Sequence, residues 1–160
     1  MIKDSGTRRH FESGAVRDID EGKGRCDLLP LDVVVEVIGA DLENCSPLES
    51  LAYYQQTKNI AFVKNAVNAF ARMQGWDIWT AMLELSVHYS EGASKYDEWN
   101  WTKGIPSHCY LDSALRHLIK WNRCDDDECH NRAFIWNCFG LIWNSIHRPD
   151  LEDVRNGMEE

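Results

Sequence analysis

The sequence predicts an all-α protein, a compact bundle of about five or six helices behind an irregular N-terminal segment. Apolar residues recur three and four positions apart through most of the chain beyond Pro30, the period of a helix with one buried face. No stretch alternates apolar and polar residues for the length of a strand, and there is no internal repeat. At 160 residues, 44% hydrophobic and 27% charged, the chain has the size and composition of one ordinary globular domain.

Residues 1–30 carry Gly6, Gly14, Gly22 and Gly24 among many charges, too many breaks for a long regular element. Phe11, Val16, Ile19, Leu28 and Leu29 offer anchors by which this segment docks on a body formed by residues 31–148. Pro30 suits the first turn of a helix through LDVVVEVIGA. After a turn at 41–47, Ser46-Pro47-Leu48-Glu49 supplies a cap, a first-turn proline and an acid at the positive helix end. Leu51, Tyr54, Ile60, Val63, Val67 and Phe70 keep helical spacing up to Met73, and Thr57-Lys58-Asn59 is the place for a break into two helices.

The next helix runs from Asp77 to Tyr89 or somewhat beyond. Gly92, Gly104 and Pro106 then cut the chain into a loop with helical pieces. Tyr110 to Trp121 is helical again, with Leu111, Ala114, Leu115 and Leu118 on one side. Asp127 to Ile146 is the most hydrophobic helix; Pro149 stops it, and residues 149–160 form an acidic tail.

Formal net charge is −9, from 26 acidic and 17 basic side chains. Binding duplex nucleic acid needs a surplus of Lys and Arg, so that partner class is excluded. Small anionic ligands remain open where a metal or a local basic cluster offsets the charge. No apolar run reaches the ~20 residues of a membrane span, and no hydrophobic segment follows the basic N-terminus as in a secretory signal. The expected location is the cytoplasm, with all six cysteines as thiols. Cys124, Cys129 and His130 match no strong zinc spacing, so ordinary thiols are the simpler reading. Of the seven Trp, Trp121, Trp136 and Trp143 fall at core positions, while Trp99 and Trp101 sit in a loop where a flat ligand could stack.

Glu84, His88, Glu91 and Lys95 are spaced four, three and four apart, so a continuous helix puts them on one face, with Asp77 a heptad earlier. Such a row can hold a divalent cation and meet an anion, or it can be a solvated face laced with ion pairs. Asp125-Asp126-Asp127-Glu128 either complements the dipole of the last helix or supplies the carboxylate oxygens that Mg²⁺ prefers. Asn137, within AFIWNCFGLIW, is expected to be buried, where an unpaired amide costs about 1–3 kcal/mol; it locks the packing or reads a ligand. Asp112 and Arg116 form an i,i+4 pair, and His117 beside them is a core histidine or a ligand. His117 and His130 with Asp127 would together suit a transition metal. Lys95, Tyr96, Asn100, Trp101 and Lys103 could stack a base and hold phosphates, or simply pack their loop. The basic cluster Arg8, Arg9, Arg17, Lys23 and Arg25 either covers a phosphate pocket or pairs with the acidic body.

Residues 88–143 carry the series EGA-x-KY, NW-x-KGIP, RHL, DE-x-H and WN, and residues 4–32 read DSGTRRHFESGAVRDIDEGKGRCDLLPLD. In both stretches the chain resembles a phage-borne family of dATP/dGTP diphosphohydrolases. The resemblance implies a MazG-like all-α nucleotide pyrophosphohydrolase that converts purine deoxynucleoside triphosphates to monophosphate and pyrophosphate with Mg²⁺, or Mn²⁺ in its place. Glu91, Lys95, Tyr96, Asn100, Trp101, Lys103, Arg116, His117, Asp127, Glu128, His130 and Asn137 fall on the family motif. It leaves their roles to be assigned by chemistry. That assignment gives Glu84, His88 and Glu91, with Asp127 or Glu128, to the metal, and catalysis to Glu91, Asp127, Glu128 and His130. Lys95, Lys103 and Arg116 would contact phosphates and Trp101 or Tyr96 the base, with Asn100, His117 and Asn137 as further substrate contacts. The chain departs from the pattern at Asn131, where Asp commonly follows the second histidine, and at His10, where an acid is usual. The competing reading is a non-catalytic scaffold that sequesters a nucleotide or a defence signalling nucleotide. Either protein would work in the (host) cytoplasm, and the exposed Trp expected of so thin a bundle suggest a homo-oligomer.

Overall fold

A computed structural model describes residues 6–18, 24–38 and 45–156. Among them are two short strands, β1 (Arg8–His10) and β2 (Val16–Asp18), and six α-helices. The helices are α1 (Leu31–Ile38), α2 (Pro47–Thr57), α3 (Ala61–Met73), α4 (Ile78–Lys95), α5 (Ser107–Asn122) and α6 (His130–His147). The predicted all-α architecture is what the chain adopts.

The axis of the bundle is α6. Its sequence leaves almost no face for water, and Phe134, Ile135, Cys138, Phe139, Leu141 and Ile142 are all buried. Along it lies α5, brought close because Gly140 presents no side chain to the Tyr110 ring. On another side α3 sets Phe70 between Phe134 and Trp121, at centroid distances of 4.3 and 5.2 Å. Val33, Val34 and Val37 of α1 are buried where that helix meets α3 and α6.

The break near Thr57-Lys58-Asn59 is present. Lys58 takes a left-handed φ of 59° while its N–H closes α2 on the Tyr54 carbonyl at 2.7 Å, a normal helix stop. The Asn59 side chain then accepts from Ala61 N at 3.0 Å and starts α3. At the other end of α2, Ser46 Oγ accepts from Glu49 N at 3.1 Å and donates to Glu49 Oε1 at 3.0 Å.

Some expectations need correction. The N-terminal segment is not wholly irregular: β1 and β2 pair antiparallel around a turn at Gly14, whose φ is 83°. Three-residue strands are too short to show alternation in a sequence. Phe11 and Val16 stay exposed, at 39% and 56%, while Leu28 and Leu29 are buried as expected of anchors; Ile19 lies outside the described residues. Through Gly92, α4 continues to Lys95, and α5 begins at Ser107 rather than Tyr110. Most consequential, α6 begins at His130, not Asp127. Asp127 reaches back to Lys120 of α5 at 2.7 Å, which holds the acidic run out of the helix as a link.

The described part of the acidic tail is docked. Val154 is buried, the Tyr54 hydroxyl donates to Glu152, and Asp153 accepts from His108 N at 2.9 Å at the positive end of α5. No helix among the described residues is long and apolar enough to cross a membrane.

Candidate functional site

Residues of α4, α5, α6 and the segments between them line a cavity of about 470 Å³. From α4 come His88, Glu91 and Lys95, from the following loop Tyr96, Trp99, Asn100 and Trp101, from α5 His117, and from α6 Trp136 and Asn137, with Glu128 at the link between the last two. The extension of α4 to Lys95 is what sets His88, Glu91 and Lys95 on one wall.

The loop wall is aromatic. Trp101 is buried, edge-on to Trp143 at 5.1 Å and to Tyr89 at 5.9 Å, while Trp99 takes a left-handed φ of 60° and stays partly exposed beside it. Lys95 Nζ lies over the Tyr96 ring, 5.1 Å from its centroid. The expected division of the Trp residues is thus partly reversed: Trp101 belongs to the core as well as the cavity, and Trp136 lines the cavity.

The opposite wall is built around two histidines. His117 Nδ1 stands 3.0 Å from His130 Nδ1, and Glu128 Oε1 lies 3.6 Å from the first and 3.9 Å from the second. Both imidazoles are buried and Glu128 is exposed. Among the described residues this is the cluster whose ligand-type atoms all fall within 4.8 Å of one another. Asp127 Oδ1 meets His130 Nε2 at 2.8 Å. Hydrogen bonds from Lys120 first, then from His130, lower the Asp127 carboxyl to about 2. Burial lowers His117, against the opposing pull of Glu128. Burial also lowers His88 to about 4, so it is neutral at pH 7; its ring lies 5.7 Å from Trp136.

The other residues singled out in the sequence divide. Glu84 is absent from the cavity wall and is gripped by Arg132 Nη2 at 2.7 Å and Nε at 2.9 Å. Glu91 is on the wall, 3.9 Å from the same guanidinium. Asp77 caps α4 by accepting from Thr80 N at 2.7 Å. Arg116 is turned to Asp112, as its spacing predicts, and lies off the cavity wall, as does Lys103, which donates to Asn100 Oδ1 at 3.3 Å. Asn137 is buried, lines the cavity and donates to the Ala133 carbonyl at 2.8 Å. In the N-terminal cluster, Arg25 pairs with Asp27 at 2.5 Å and Glu98 at 3.0 Å, while Lys23 lies outside the described residues. Asn131 Oδ1 accepts from Arg132 N and Cys129 Sγ, both at 2.9 Å, and takes no part in the histidine cluster. All six cysteines are free.

No spacing in the sequence marks Arg132 and Trp136 as site residues. They follow His130 at two and six residues, so a helix beginning at His130 points neither in its direction, and only the packing of α4 on α6 brings them to Glu84, Glu91 and His88.

Residues 65–154, more than half of the chain, match the family model described as dATP/dGTP diphosphohydrolase, N-terminal. The chain belongs to this family. Apart from Leu28, every residue lining the cavity falls within the matched stretch. No curated protein and no solved structure matches the chain.

Proposed function

We propose that this member of the dATP/dGTP diphosphohydrolase N-terminal family hydrolyses purine deoxynucleoside triphosphates to the monophosphate and pyrophosphate. The observation that carries the reading is one cavity with an aromatic wall at the Tyr96–Trp101 loop and a carboxylate–histidine wall at His117 and Glu128. A purine would stack among Tyr96, Trp99 and Trp101, with Asn100 and Asn137 available to its polar edge. Lys95, the lysine of the wall, would meet the phosphates; Arg116 and Lys103 are committed elsewhere.

Mg²⁺ fits the carboxylates present. It binds through one or two carboxylates together with substrate phosphates, and Glu128 lines the cavity with Oε1 toward the histidines, which leaves Oε2 for the ion. Carried in on the nucleotide, it would neutralise triphosphate charge. In the reaction a water oxygen attacks the α-phosphorus, the bond to the α–β bridging oxygen breaks, pyrophosphate leaves, and Glu91 takes the water's proton.

The test is a panel of deoxy- and ribonucleoside triphosphates with product identification. Equimolar monophosphate and pyrophosphate from dATP or dGTP is expected, with Glu91→Gln lowering kcat by about 10²-fold or more while nucleotide-induced thermal stabilisation persists. Recovery of every nucleotide intact from folded protein would overturn the reading in favour of a nucleotide-sequestering scaffold.

A further inference from the structure

Two facing imidazoles are not donors that Mg²⁺ takes. His117 and His130 turn Nδ1 toward Nδ1 at 3.0 Å in the interior, with Glu128 Oε1 closing the triangle at 3.6 and 3.9 Å. Ligand atoms each about 2.0–2.2 Å from one ion stand ~3–4 Å apart, which is the spacing of all three pairs. The donors come from three places in the chain: the middle of α5, the link, and the first residue of α6.

The same cluster is supported from behind by a carboxylate. His130 Nε2 lies 2.8 Å from Asp127 Oδ1, and Asp127 is itself held by Lys120 Nζ at 2.7 Å. A carboxylate on one ring nitrogen keeps the proton there and leaves the lone pair on the other, the arrangement that supports metal-bound histidines. Here that lone pair is on Nδ1, aimed at His117 and Glu128.

We infer that His117, Glu128 and His130 form a resident site for a first-row transition-metal dication of the Mn²⁺-to-Zn²⁺ series, with Asp127 as its supporting carboxylate. Two imidazoles and one carboxylate suit these ions, whereas Mg²⁺ takes oxygen donors and water. His130 is 3% exposed and His117 9%, so the two nitrogen donors are held in place before an ion arrives. His117 and Glu128 also line the cavity, so further coordination positions open toward it. Asp127 changes role from the one its sequence neighbourhood suggested: it orients a ligand, and Glu128 supplies the oxygen. The site does not depend on which nucleotide the cavity takes, nor on whether it is cleaved.

The experiment uses the full chain stripped of metal and titrated with Zn²⁺, Co²⁺, Mn²⁺ and Mg²⁺ alone, by calorimetry and by the visible spectrum of the Co²⁺ form. One Zn²⁺ or Co²⁺ per chain is expected, retained in excess Mg²⁺, and retained in a Cys124→Ser/Cys129→Ser background that removes the nearby exposed thiols. Glu128→Gln and Asp127→Asn alter side chains that are 51% and 56% exposed, and the fold of each is checked by circular dichroism. Each should weaken Zn²⁺ by about 10–100-fold, and Glu128→Gln should change the Co²⁺ spectrum. Absence of a stoichiometric ion, displacement by Mg²⁺, or affinity unmoved in both variants would overturn the site and leave a histidine–histidine hydrogen bond. Pyrophosphate release is scored separately, so loss of the metal site and failure of the hydrolase reading are distinguishable.

Discussion

Replacing Gly140 with alanine should destabilise the protein, although helix propensity alone predicts the reverse. In the interior of a helix, alanine is favoured over glycine by about 1 kcal/mol. Against that stands the geometry: a Cβ at Gly140 would overlap Cε1, Cζ and Cδ1 of Tyr110. That ring is 1% exposed and lies 5.6 Å from Trp136, centroid to centroid, so it has no free space to swing into. Overpacking by one methyl in such a place costs about 1–3 kcal/mol, occasionally more. Three overlapped ring atoms put this site at the upper end, leaving a net loss of about 1–2 kcal/mol. For a chain of this size that lowers Tm by about 2–8 °C.

Thermal unfolding followed by circular dichroism reads the effect, and two double variants separate its causes. Tyr110→Phe retains the offending ring atoms, so Gly140→Ala should remain destabilising in that background. Tyr110→Leu removes the ring and should let the propensity gain appear. The clash would also spread α5 from α6, the two helices that carry His117 and His130, so ion binding should weaken together with stability. A Gly140→Ala protein with an unchanged or raised Tm would refute the claim that this glycine sets the helix spacing.

Burial of His88 gives a pH dependence of definite sign. Unfolded His88 takes up its proton near 6.5 and the folded side chain only near 4. Between those values the unfolded state binds more protons, so stability falls as pH falls through that window, by up to about 3 kcal/mol in all. Urea midpoints measured across the window should show this loss, and His88→Phe should flatten it; equal slopes in the two proteins would contradict the assignment. At the start of α2, Ser46→Ala removes the hydroxyl that accepts from Glu49 N and donates to its carboxylate. A loss of about 1 kcal/mol is expected, read as a Tm lower by about 2–4 °C, and an unaltered Tm would show that the cap contributes nothing.

Much of the fold could be read because helices write their period into the sequence. The α2–α3 break, the capping of α2 and the apolar length of α6 each rest on residues within one turn of the feature they specify. Where sequence and structure differ, the deciding partner is distant in the chain. Asp127 has the composition of a helix opening, yet its carboxylate is taken by Lys120 and His130, which holds it outside α6. Phe11 and Val16 look like anchors, but they belong to a hairpin whose own backbone bonds satisfy it, and they remain in solvent.

The site was less legible for a related reason. A stripe such as Glu84-His88-Glu91-Lys95 is visible because one helix carries it, and the structure keeps that stripe while dividing its uses. Arg132 of α6 holds Glu84 away from the cavity, and His88 and Glu91 remain on the wall. His117, Glu128 and His130 are separated by eleven and two residues; the first spacing suits one face of a helix and the second one face of a strand, so no single element puts all three together. They meet because α5 reverses through a short link into α6, and because the link carries an acid that holds the reversal in register. Asp127 bonded to both Lys120 and His130 is therefore a structural tie and the orienting partner of a histidine at once. Removing it should loosen the α5–α6 connection and the tautomer of His130 together, a pairing that reading each helix by itself would miss.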